Sequence, residues 1–178
     1  MTTEYIDLSH PDYDMISKRV RESYPHACIV CAERVIAPHL ESSFQALKAS
    51  LEEKRGPGVI DTKLLFHGTS EKAIQPIILD GFDPHYNKTS AYGIGTYFSP
   101  QASMSSTYSK ESKKEDLSYM FLAEVIIGNK TTAGNSAVID TNKFDISMND
   151  LINPTIYCTP YKDGAIPRFI IGFYKYAI

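Results

Sequence analysis

The chain has 178 residues, a length that suits one domain able to bury roughly two thirds of its unfolded surface. Its 18 basic and 21 acidic side chains give a net charge of −3, so no overall positive field favours the binding of nucleic acid. No apolar run reaches the roughly twenty residues of a membrane span, and the N-terminus is too polar for a secretory signal. We therefore expect an intracellular protein without membrane segments, in the cytoplasm or the nucleus.

The first third of the chain predicts a helix, a strand and a second helix. Ser9-His10-Pro11-Asp12 has an oxygen-bearing cap, a proline for the first turn and an acid near the positive end of the dipole, so a helix is predicted over 11–23. The β-prone run 27–36 predicts a strand. A second helix begins at Pro38 and ends at Gly56. Its apolar residues recur at helical spacing: Leu40, Phe44, Leu47 and Leu51.

The middle of the chain predicts a strand, two helices and two polar segments. A strand over 63–66 leads into a helix over 70–81, which stops at a glycine. Residues 83–90 show no periodicity and predict a surface loop that could cover a ligand. Beyond it, the sequence predicts a helix over 100–109 and a solvated charged turn over 110–116.

The last third predicts strands rather than helices. We expect a long strand over 119–127, a turn over 129–136, short strands over 137–140 and 155–159, and a C-terminal strand over 168–176. A few helices followed by many short strands indicate an α+β fold rather than an alternating βαβ chain. Gly93-x-Gly95 lacks the third glycine and the helix start of the dinucleotide-binding fingerprint, which argues against a parallel dinucleotide-binding sheet.

Cysteine spacing gives a weak signal for a metal site. The three cysteines cannot all pair with one another, and an intracellular chain keeps them reduced. Cys28 and Cys31 have the spacing of a metal or redox motif, but residues three apart on a strand point to opposite faces. No second Cys-x-x-Cys completes a four-ligand site. We therefore predict no metal and interpret both residues as small buried thiols.

Two stretches about thirty residues apart carry the candidate site. The first is Leu64-Leu65-Phe66-His67-Gly68-Thr69-Ser70, and the second is Tyr92-Gly93-Ile94-Gly95-Thr96-Tyr97-Phe98-Ser99, followed by Ser105 and Tyr108. Each is an apolar, β-prone run that stops at small residues and carries one polar aromatic or imidazole side chain. That pattern indicates strand edges that deliver side chains into a cleft, so the chain is a candidate enzyme.

These stretches, their spacing and the run Ala32-Glu33-Arg34-Val35-Ile36-Ala37-Pro38-His39-Leu40 resemble a known catalytic domain. It is that of the poly(ADP-ribose) polymerase-like, diphtheria-toxin-type ADP-ribosyltransferases, in their mono-ADP-ribosyltransferase branch. The resemblance covers nearly the whole chain. It implies one catalytic domain over 1–178, with 1–60 as its N-terminal helix-strand-helix part. The implied ADP-ribosyltransferase fold has two packed, mostly antiparallel sheets flanked by a few helices.

The resemblance implies that the first stretch binds NAD. In that family the histidine of a His-Gly motif hydrogen-bonds the adenosine ribose, and the glycine backbone holds the nicotinamide carboxamide. His67 and Gly68 match these positions, and Thr69 completes the motif. A neutral imidazole can pair with a ribose hydroxyl, and a glycine lets a planar carboxamide approach the backbone closely.

The second stretch matches the family's nicotinamide clamp. Tyr97 corresponds to the tyrosine that lies against the nicotinamide ring, and Tyr108 to the tyrosine on the opposite face. Ser105 corresponds to the serine whose hydroxyl bonds the carboxamide oxygen. Offset stacking contributes about 0.5–1.5 kcal/mol beyond area burial and fixes the plane of the leaving group.

The third catalytic position of the family departs from the polymerase pattern. The resemblance assigns catalytic positions to His67, Tyr97 and Ile170, and the polymerases carry at the last of these a glutamate that activates the acceptor hydroxyl. No residue over 168–172 is a carboxylate, so any register lacks that general base. We therefore expect transfer of a single ADP-ribose unit.

Two charged residues leave alternatives open. Glu124 could replace the missing carboxylate if its side chain reached the cleft, although a glutamate at the rim of the sheet is favoured. Arg168 could contact an acceptor or a phosphate, and a surface arginine is an equal alternative.

The resemblance implies an enzyme that takes NAD as its co-substrate, requires no metal, and moves one ADP-ribose to a protein side chain with release of nicotinamide. We expect a monomer whose acceptors are proteins, with itself as a candidate acceptor. Two alternatives stay open. One is a catalytically inactive module that binds NAD or ADP-ribose, and the other is an ADP-ribosyltransferase acting on RNA ends.

Overall fold

The structure, a computed structural model, describes residues 3–87, 90–110 and 117–175. Within these ranges four α-helices are present: α1 (Pro11–Ser23), α2 (Pro38–Arg55), α3 (Glu71–Asp80) and α4 (Ala102–Ser106). Nine strands accompany them: β1 (Thr3–Tyr5), β2 (Cys28–Val35), β3 (Asp61–Thr69), β4 (Thr96–Phe98), β5 (Ser118–Ile127), β6 (Lys130–Thr131), β7 (Ile146–Met148), β8 (Tyr157–Thr159) and β9 (Ala165–Tyr174). This inventory confirms the predicted α+β class.

Two sheets form the centre of the fold. The larger sheet has five antiparallel strands in the order β1-β2-β9-β5-β3, and the smaller sheet has four in the order β4-β8-β7-β6. In the smaller sheet only β6 and β7 are parallel. The two sheets are mostly antiparallel and flanked by few helices, as the resemblance implied. β3 therefore lies at the edge of the larger sheet, where its outer side is open to other elements.

Each face of the larger sheet is covered by its own hydrophobic core. One face packs against the smaller sheet and α3, and this core includes Leu65, Phe121, Ile146 and Tyr157. On the other face Ile16 and Val20 of α1 pack against β2, β5 and β9, and α2 adds a separate cluster around Phe44 and Leu51. Because successive residues of a strand point to opposite faces, a side chain on β3, β5 or β9 faces either the smaller sheet or the helices.

The predicted bounds of the first three helices are confirmed, with one change at the first cap. The imidazole Nδ1 of His10 accepts the backbone N–H of Asp12 at 3.1 Å, so His10 rather than Ser9 is the cap of α1. Pro11 occupies the first turn of α1, and Pro38 the first turn of α2. Gly56 ends α2 at a φ of +93°, in the left-handed region that glycine adopts without strain.

Several predictions after residue 83 are wrong or reach beyond the described ranges. Residues 84–86 form a short 3-10 turn within the predicted loop, and the helix expected over 100–109 is limited to α4. No strand forms over 137–140, while β6 lies inside the predicted turn and β7 was not predicted. Most of the charged turn predicted over 110–116 lies outside the described residues.

The cysteines differ in burial. Cys28 is exposed and Cys31 half-buried, so the prediction of buried thiols is wrong for Cys28. Cys158 on β8 is buried, and burial raises the pKa of its thiol to about 12. Across the three described ranges no three side chains of the metal-binding types His, Cys, Asp and Glu come together. None of the helices in those ranges combines the length and hydropathy that crossing a membrane requires.

Candidate active site

Six of the predicted site residues line one cavity of about 280 Å³ between the edge of β3, β4 and α4. They are His67, Gly68, Thr69, Tyr97, Ser105 and Tyr108. β3 delivers the first three, β4 delivers Tyr97, and the segment through α4 delivers the last two. Residues as far apart in the sequence as His67 and Tyr108 therefore share one concave surface. Ile170 is not among the residues that line this cavity.

The outer edge of β3 presents backbone groups to the cavity. Phe66 turns its N–H and C=O away from β5 and bonds both to Ser99, at 2.7 and 2.9 Å. In an antiparallel ladder the residues that face a given edge recur at every second position. Gly68, two residues further, thus directs its N–H and C=O to the same edge, beside α4. A donor and an acceptor on one residue match the two halves of a primary amide.

Gly68 lies so close to α4 that no side chain fits there. A Cβ at this position would lie 1.9 Å from the backbone carbonyl oxygen of Ser105. Ser105 is itself fixed, because its buried hydroxyl donates to the carbonyl of Phe66 at 3.0 Å. A hydroxyl that donates one hydrogen bond retains acceptor capacity, and its hydrogen can rotate toward another partner. The absence of a side chain at Gly68 therefore allows β3 and α4 to lie in close contact at the cavity.

His67 is held as a neutral imidazole, and among the described residues only its Nδ1 has a hydrogen-bond partner. Its Nδ1 lies 2.8 Å from the carbonyl oxygen of Tyr97, and because a carbonyl only accepts, Nδ1 carries the hydrogen. Burial lowers the pKa of His67 below the ordinary 6.5, and the hydrogen bond with Tyr97 opposes this change only in part. The rings of Phe82 and Phe98 lie 5.1 and 5.3 Å away and fix the plane of the imidazole. Nε2 is consequently an acceptor.

Tyr97 is anchored through its hydroxyl, which leaves its ring as a wall. The phenol donates to the carbonyl of Gly93 at 2.6 Å and accepts the N–H of Tyr92 at 2.9 Å. Burial raises the pKa of Tyr97 well above its ordinary range, so the phenol stays protonated and can donate. Tyr108 is 56 % exposed at the mouth of the same cavity. Tyr97 is thus held in place, whereas Tyr108 has an exposed ring that a ligand can cover.

A model of the family described as the poly(ADP-ribose) polymerase catalytic domain matches residues 10–149, more than half of the chain. The chain belongs to this family. Three relatives illustrate the similarity. Human protein mono-ADP-ribosyltransferase PARP14 is 27% identical over 94% of this chain and 10% of its own length. Mouse protein mono-ADP-ribosyltransferase PARP12 is 26% identical over 94% of this chain and 25% of its own length.

A probable poly(ADP-ribose) polymerase of Dictyostelium discoideum is 32% identical over 94% of this chain and 51% of its own length. The chain thus spans from a tenth to about half of the length of these relatives. The family match ends before β8 and β9, so it does not include the strand that carries Ile170. The strand pairing of β9 nevertheless shows where Ile170 lies in the fold.

Ile170 lies on the same cross-strand row as His67. Phe121 of β5 is directly opposite His67 on one side and Ile170 on the other. Directly opposite residues point to the same face, so all three side chains face the smaller sheet. His67 and Ile170 are separated by two strand spacings, about 10 Å. Ile170 is 5 % exposed and packs in the core between the sheets. Ile170, which the resemblance assigned to the glutamate position of the polymerase pattern, is therefore a buried apolar side chain.

Glu124 and Arg168 belong to the opposite face of the larger sheet. The pairing of β5 with β9 passes from Leu122–Phe169 to Ala123–Pro167, so Arg168 is the extra residue of a β-bulge. Its guanidinium donates to Glu124 at 2.5 and 2.8 Å and also pairs with Glu41 of α2. The hydrogen bond from Arg168 lowers the pKa of Glu41. This ion cluster ties α2 to the sheet, and neither Glu124 nor Arg168 is among the residues that line the cavity. The alternative in which Glu124 reaches the cleft and replaces the missing carboxylate is therefore wrong.

A second cavity of about 480 Å³ adjoins the first and was not predicted. The two cavities share His67, Thr69, Tyr86 and Asn87 in their walls. Further along, the second cavity is lined by α3 and by the residues that follow it. The available sequence signal was the apolar stripe of α3 followed by an aperiodic segment. It predicted a loop that could cover a ligand, but it did not identify which residues would line a cavity.

The state of His67 predicts how stability depends on pH. Well above pH 6.5 the imidazole is neutral in both the folded and the unfolded chain. As the pH falls below 6.5, the unfolded chain gains a proton that the folded chain resists, so stability decreases toward the lower folded pKa. We expect the melting temperature of the wild type to fall more between pH 7.5 and 5 than that of a His67→Gln variant. Parallel melting curves for the two proteins would contradict this assignment.

Proposed function

We propose that this protein is an NAD-dependent mono-ADP-ribosyltransferase that moves one ADP-ribose from NAD to a protein side chain and releases nicotinamide. The observation that carries the proposal is the cavity in which the open backbone edge at Gly68 and the rings of Tyr97 and Tyr108 converge. The names of the mono-ADP-ribosyltransferases to which the chain is similar support the same activity.

The cavity fits the nicotinamide end of NAD. A primary carboxamide offers one acceptor and two donor hydrogens, and the edge of β3 at Gly68 offers the complementary donor and acceptor. The hydroxyl of Ser105 lies at the same place and can turn toward the carboxamide oxygen. The ring of Tyr97 has a fixed plane, and Tyr108 can close on the opposite face of the bound ring. An aromatic ring held on both faces suits a flat leaving group.

His67 suits a ribose hydroxyl. Its unprotonated Nε2 can accept a hydrogen bond, and its neutral state at pH 7 avoids repulsion of the positive pyridinium ring of NAD. Thr69 lies two residues further along β3, on the same face as His67, and lines both cavities. Residues of β3 can therefore contact the substrate from nicotinamide toward adenosine. In this proposal these residues bind and orient NAD, and none of them takes a proton from the acceptor.

When NAD is bound, the bond between the ribose C1′ and the nicotinamide nitrogen breaks, and nicotinamide leaves with the bonding electrons. An oxygen, nitrogen or sulfur of the acceptor then bonds to C1′ and loses its proton. Ile170 offers no carboxylate to activate the weakly nucleophilic hydroxyl of a previous ADP-ribose unit. The reaction is therefore expected to stop after one unit. The acceptors are proteins, and this chain itself is a candidate acceptor.

The test is incubation of the purified chain with labelled NAD, with and without added proteins. We expect released nicotinamide and, by mass spectrometry, single ADP-ribose units on protein side chains. His67→Ala is expected to lower kcat/KM about a hundredfold, since it removes an orienting contact to the substrate. His26→Ala is the matched control, because His26 is exposed in the turn between α1 and β2.

Each alternative gives a different result. Long ADP-ribose chains on the product would contradict the single-unit proposal. Bound but intact NAD with no released nicotinamide would identify a catalytically inactive binding module. Modification of 5′-phosphorylated RNA in preference to protein would identify RNA ends as the acceptor. Unchanged turnover in His67→Ala would overturn the role given to His67.

A further inference from the structure

Among the described residues that line the first cavity, Lys110 alone carries a charge at pH 7. The other side chains in these walls are apolar, hydroxyl or amide groups, and the imidazole of His67 is neutral because burial lowers its pKa. The sequence predicted that Lys110 belongs to a solvated turn. The structure places it in the wall of the cavity instead, so one ammonium group sets the charge of this site.

The backbone at Lys110 is fixed beside the open edge of β3. Lys110 forms a parallel bridge with Ser70, the residue that follows β3. The preceding residue, Ser109, is buried. Its hydroxyl donates to the carbonyl of Tyr119 at 2.7 Å, and its own carbonyl accepts the ammonium of Lys175 at 2.8 Å. The side chain of Lys110 is exposed and forms no ion pair in the part of the chain that the structure describes.

The charges of NAD decide which part of this ligand suits an ammonium group. The pyridinium ring is positive, so a lysine beside it repels it, whereas each phosphate of the pyrophosphate is negative. The adenosine part is uncharged at pH 7. A lysine in the wall of the cleft therefore favours the pyrophosphate, which joins the two nucleosides, over every other part of NAD.

The second cavity is less suited to the pyrophosphate. Its described charged lining residues are Asp80, Asp83 and Lys162, so acidic side chains outnumber basic ones. A phosphate there meets two carboxylates as well as one ammonium group. In the first cavity it meets the ammonium of Lys110, and none of the described lining residues there is a carboxylate. The balance of charge thus favours adenosine in the second cavity and the pyrophosphate near Lys110.

We propose that Lys110 binds the pyrophosphate of NAD through its ammonium group. This inference rests on the proposed function, because it places the nicotinamide of NAD in the first cavity. An ammonium–phosphate contact is a charge-assisted hydrogen bond, which is stronger than a bond between neutral groups. The contact does not involve the reacting C1′ atom. Loss of the ammonium group therefore raises KM for NAD and leaves kcat nearly unchanged.

Lys110→Met tests the proposal, since it removes the charge and keeps an unbranched side chain. We expect it to weaken NAD and ADP-ribose about tenfold in calorimetry, and to raise KM for NAD while kcat stays within about threefold. Nicotinamide and nicotinamide riboside, which lack phosphate, should bind the variant no more weakly than the wild type. Lys110→Arg keeps the charge and should stay within about threefold of the wild type. Lys63→Met is the matched control, because Lys63 is exposed on β3 and lines neither cavity.

The salt dependence of binding provides a second measurement. Added salt screens the attraction between an exposed ammonium group and a phosphate. The affinity of the wild type for NAD should therefore fall more steeply with sodium chloride concentration than that of Lys110→Met. The same salt dependence in both proteins, together with unchanged affinity for NAD, would overturn the inference.

Two further results would also overturn it and leave the proposed function in place. One is that Lys110→Met binds NAD as the wild type does but has a higher KM for the acceptor protein, which would assign the ammonium group to the acceptor. The other is that Lys162→Met loses affinity for NAD while Lys110→Met keeps it, which would assign the pyrophosphate to the second cavity. If the wild type neither binds NAD nor releases nicotinamide, both the inference and the proposed function fail.

Discussion

Gly68→Ala is expected to lower kcat/KM for nicotinamide release from NAD by at least about a hundredfold. The added Cβ would lie 1.9 Å from the carbonyl oxygen of Ser105, where backbone rather than a flexible side chain must yield. Either β3 or α4 has to move by more than an ångström, and Ser105 and Tyr108 move with α4. A displacement of this size at a positioned reacting group costs about a hundredfold in rate. The measurement is nicotinamide release at several NAD concentrations.

Gly134→Ala is the control for this variant. A Cβ at Gly134 meets no atom within 4 Å, so turnover and melting temperature should both remain at wild-type values. Circular dichroism of the Gly68→Ala protein establishes that the secondary structure is retained, which separates loss of the site from loss of the fold. Wild-type turnover in Gly68→Ala would show that the edge of β3 is not the nicotinamide contact.

Helices were predictable because their signals are local. Pro11 and Pro38 mark the starts of α1 and α2, Gly56 and Gly81 mark the ends of α2 and α3, and the structure has these bounds. β6 and β7 of the smaller sheet carry no such signal, since two or three residues cannot show a period of two, whereas β8 lies inside the strand predicted over 155–159. Their existence depends on pairing with strands far along the chain, which a local pattern does not reveal.

The false strand over 137–140 shows the limit of alternation as a signal. Val138 is 82 % exposed and Ile139 is buried, which is the alternation of a half-buried strand. No strand ladder forms there, because Ser136 has a φ of +57° and the segment closes a turn in which Ala137 bonds to Gly134. The carbonyl of Ala137 accepts a single hydrogen bond from Ile94. A strand needs a partner edge as well as a pattern.

The candidate site was predictable where its residues were close in sequence to a motif. The spacing from Tyr97 to Ser105 and Tyr108 named three residues of the cavity, and His67-Gly68 named two more. Tyr86 and Asn87, which also line the cavity, were not named, because the position of this segment depends on the hydrogen bond from Asn87 to Gly95. The face of Arg168 was equally hidden, since a bulge rather than simple alternation directs it to α2.

Asp145→Ala is expected to give the largest loss of stability. The buried carboxylate of Asp145 accepts from Arg55 at 2.8 and 3.0 Å and from the backbone N–H of Asn129 at 2.8 Å. It thereby joins the end of α2, the turn after β5 and the start of β7. Its loss leaves a buried guanidinium without its carboxylate, which costs about 3–5 kcal/mol. In a chain of this size that corresponds to a melting temperature lower by about 10 °C.

The double variant Arg55→Leu with Asp145→Ala distinguishes an unpaired charge from a lost structural link. If the cost arises mainly from the isolated guanidinium, removal of both groups should recover about half of the lost stability, since a buried pair can be replaced by apolar groups at little cost. Lys143→Ala serves as the control, because Lys143 pairs with Asp140 at 3.6 Å on the surface and should leave the melting temperature unchanged. A double variant no more stable than Asp145→Ala would show that the link from the carboxylate to Asn129, rather than the charge pair, holds the smaller sheet and hence Tyr97 in place.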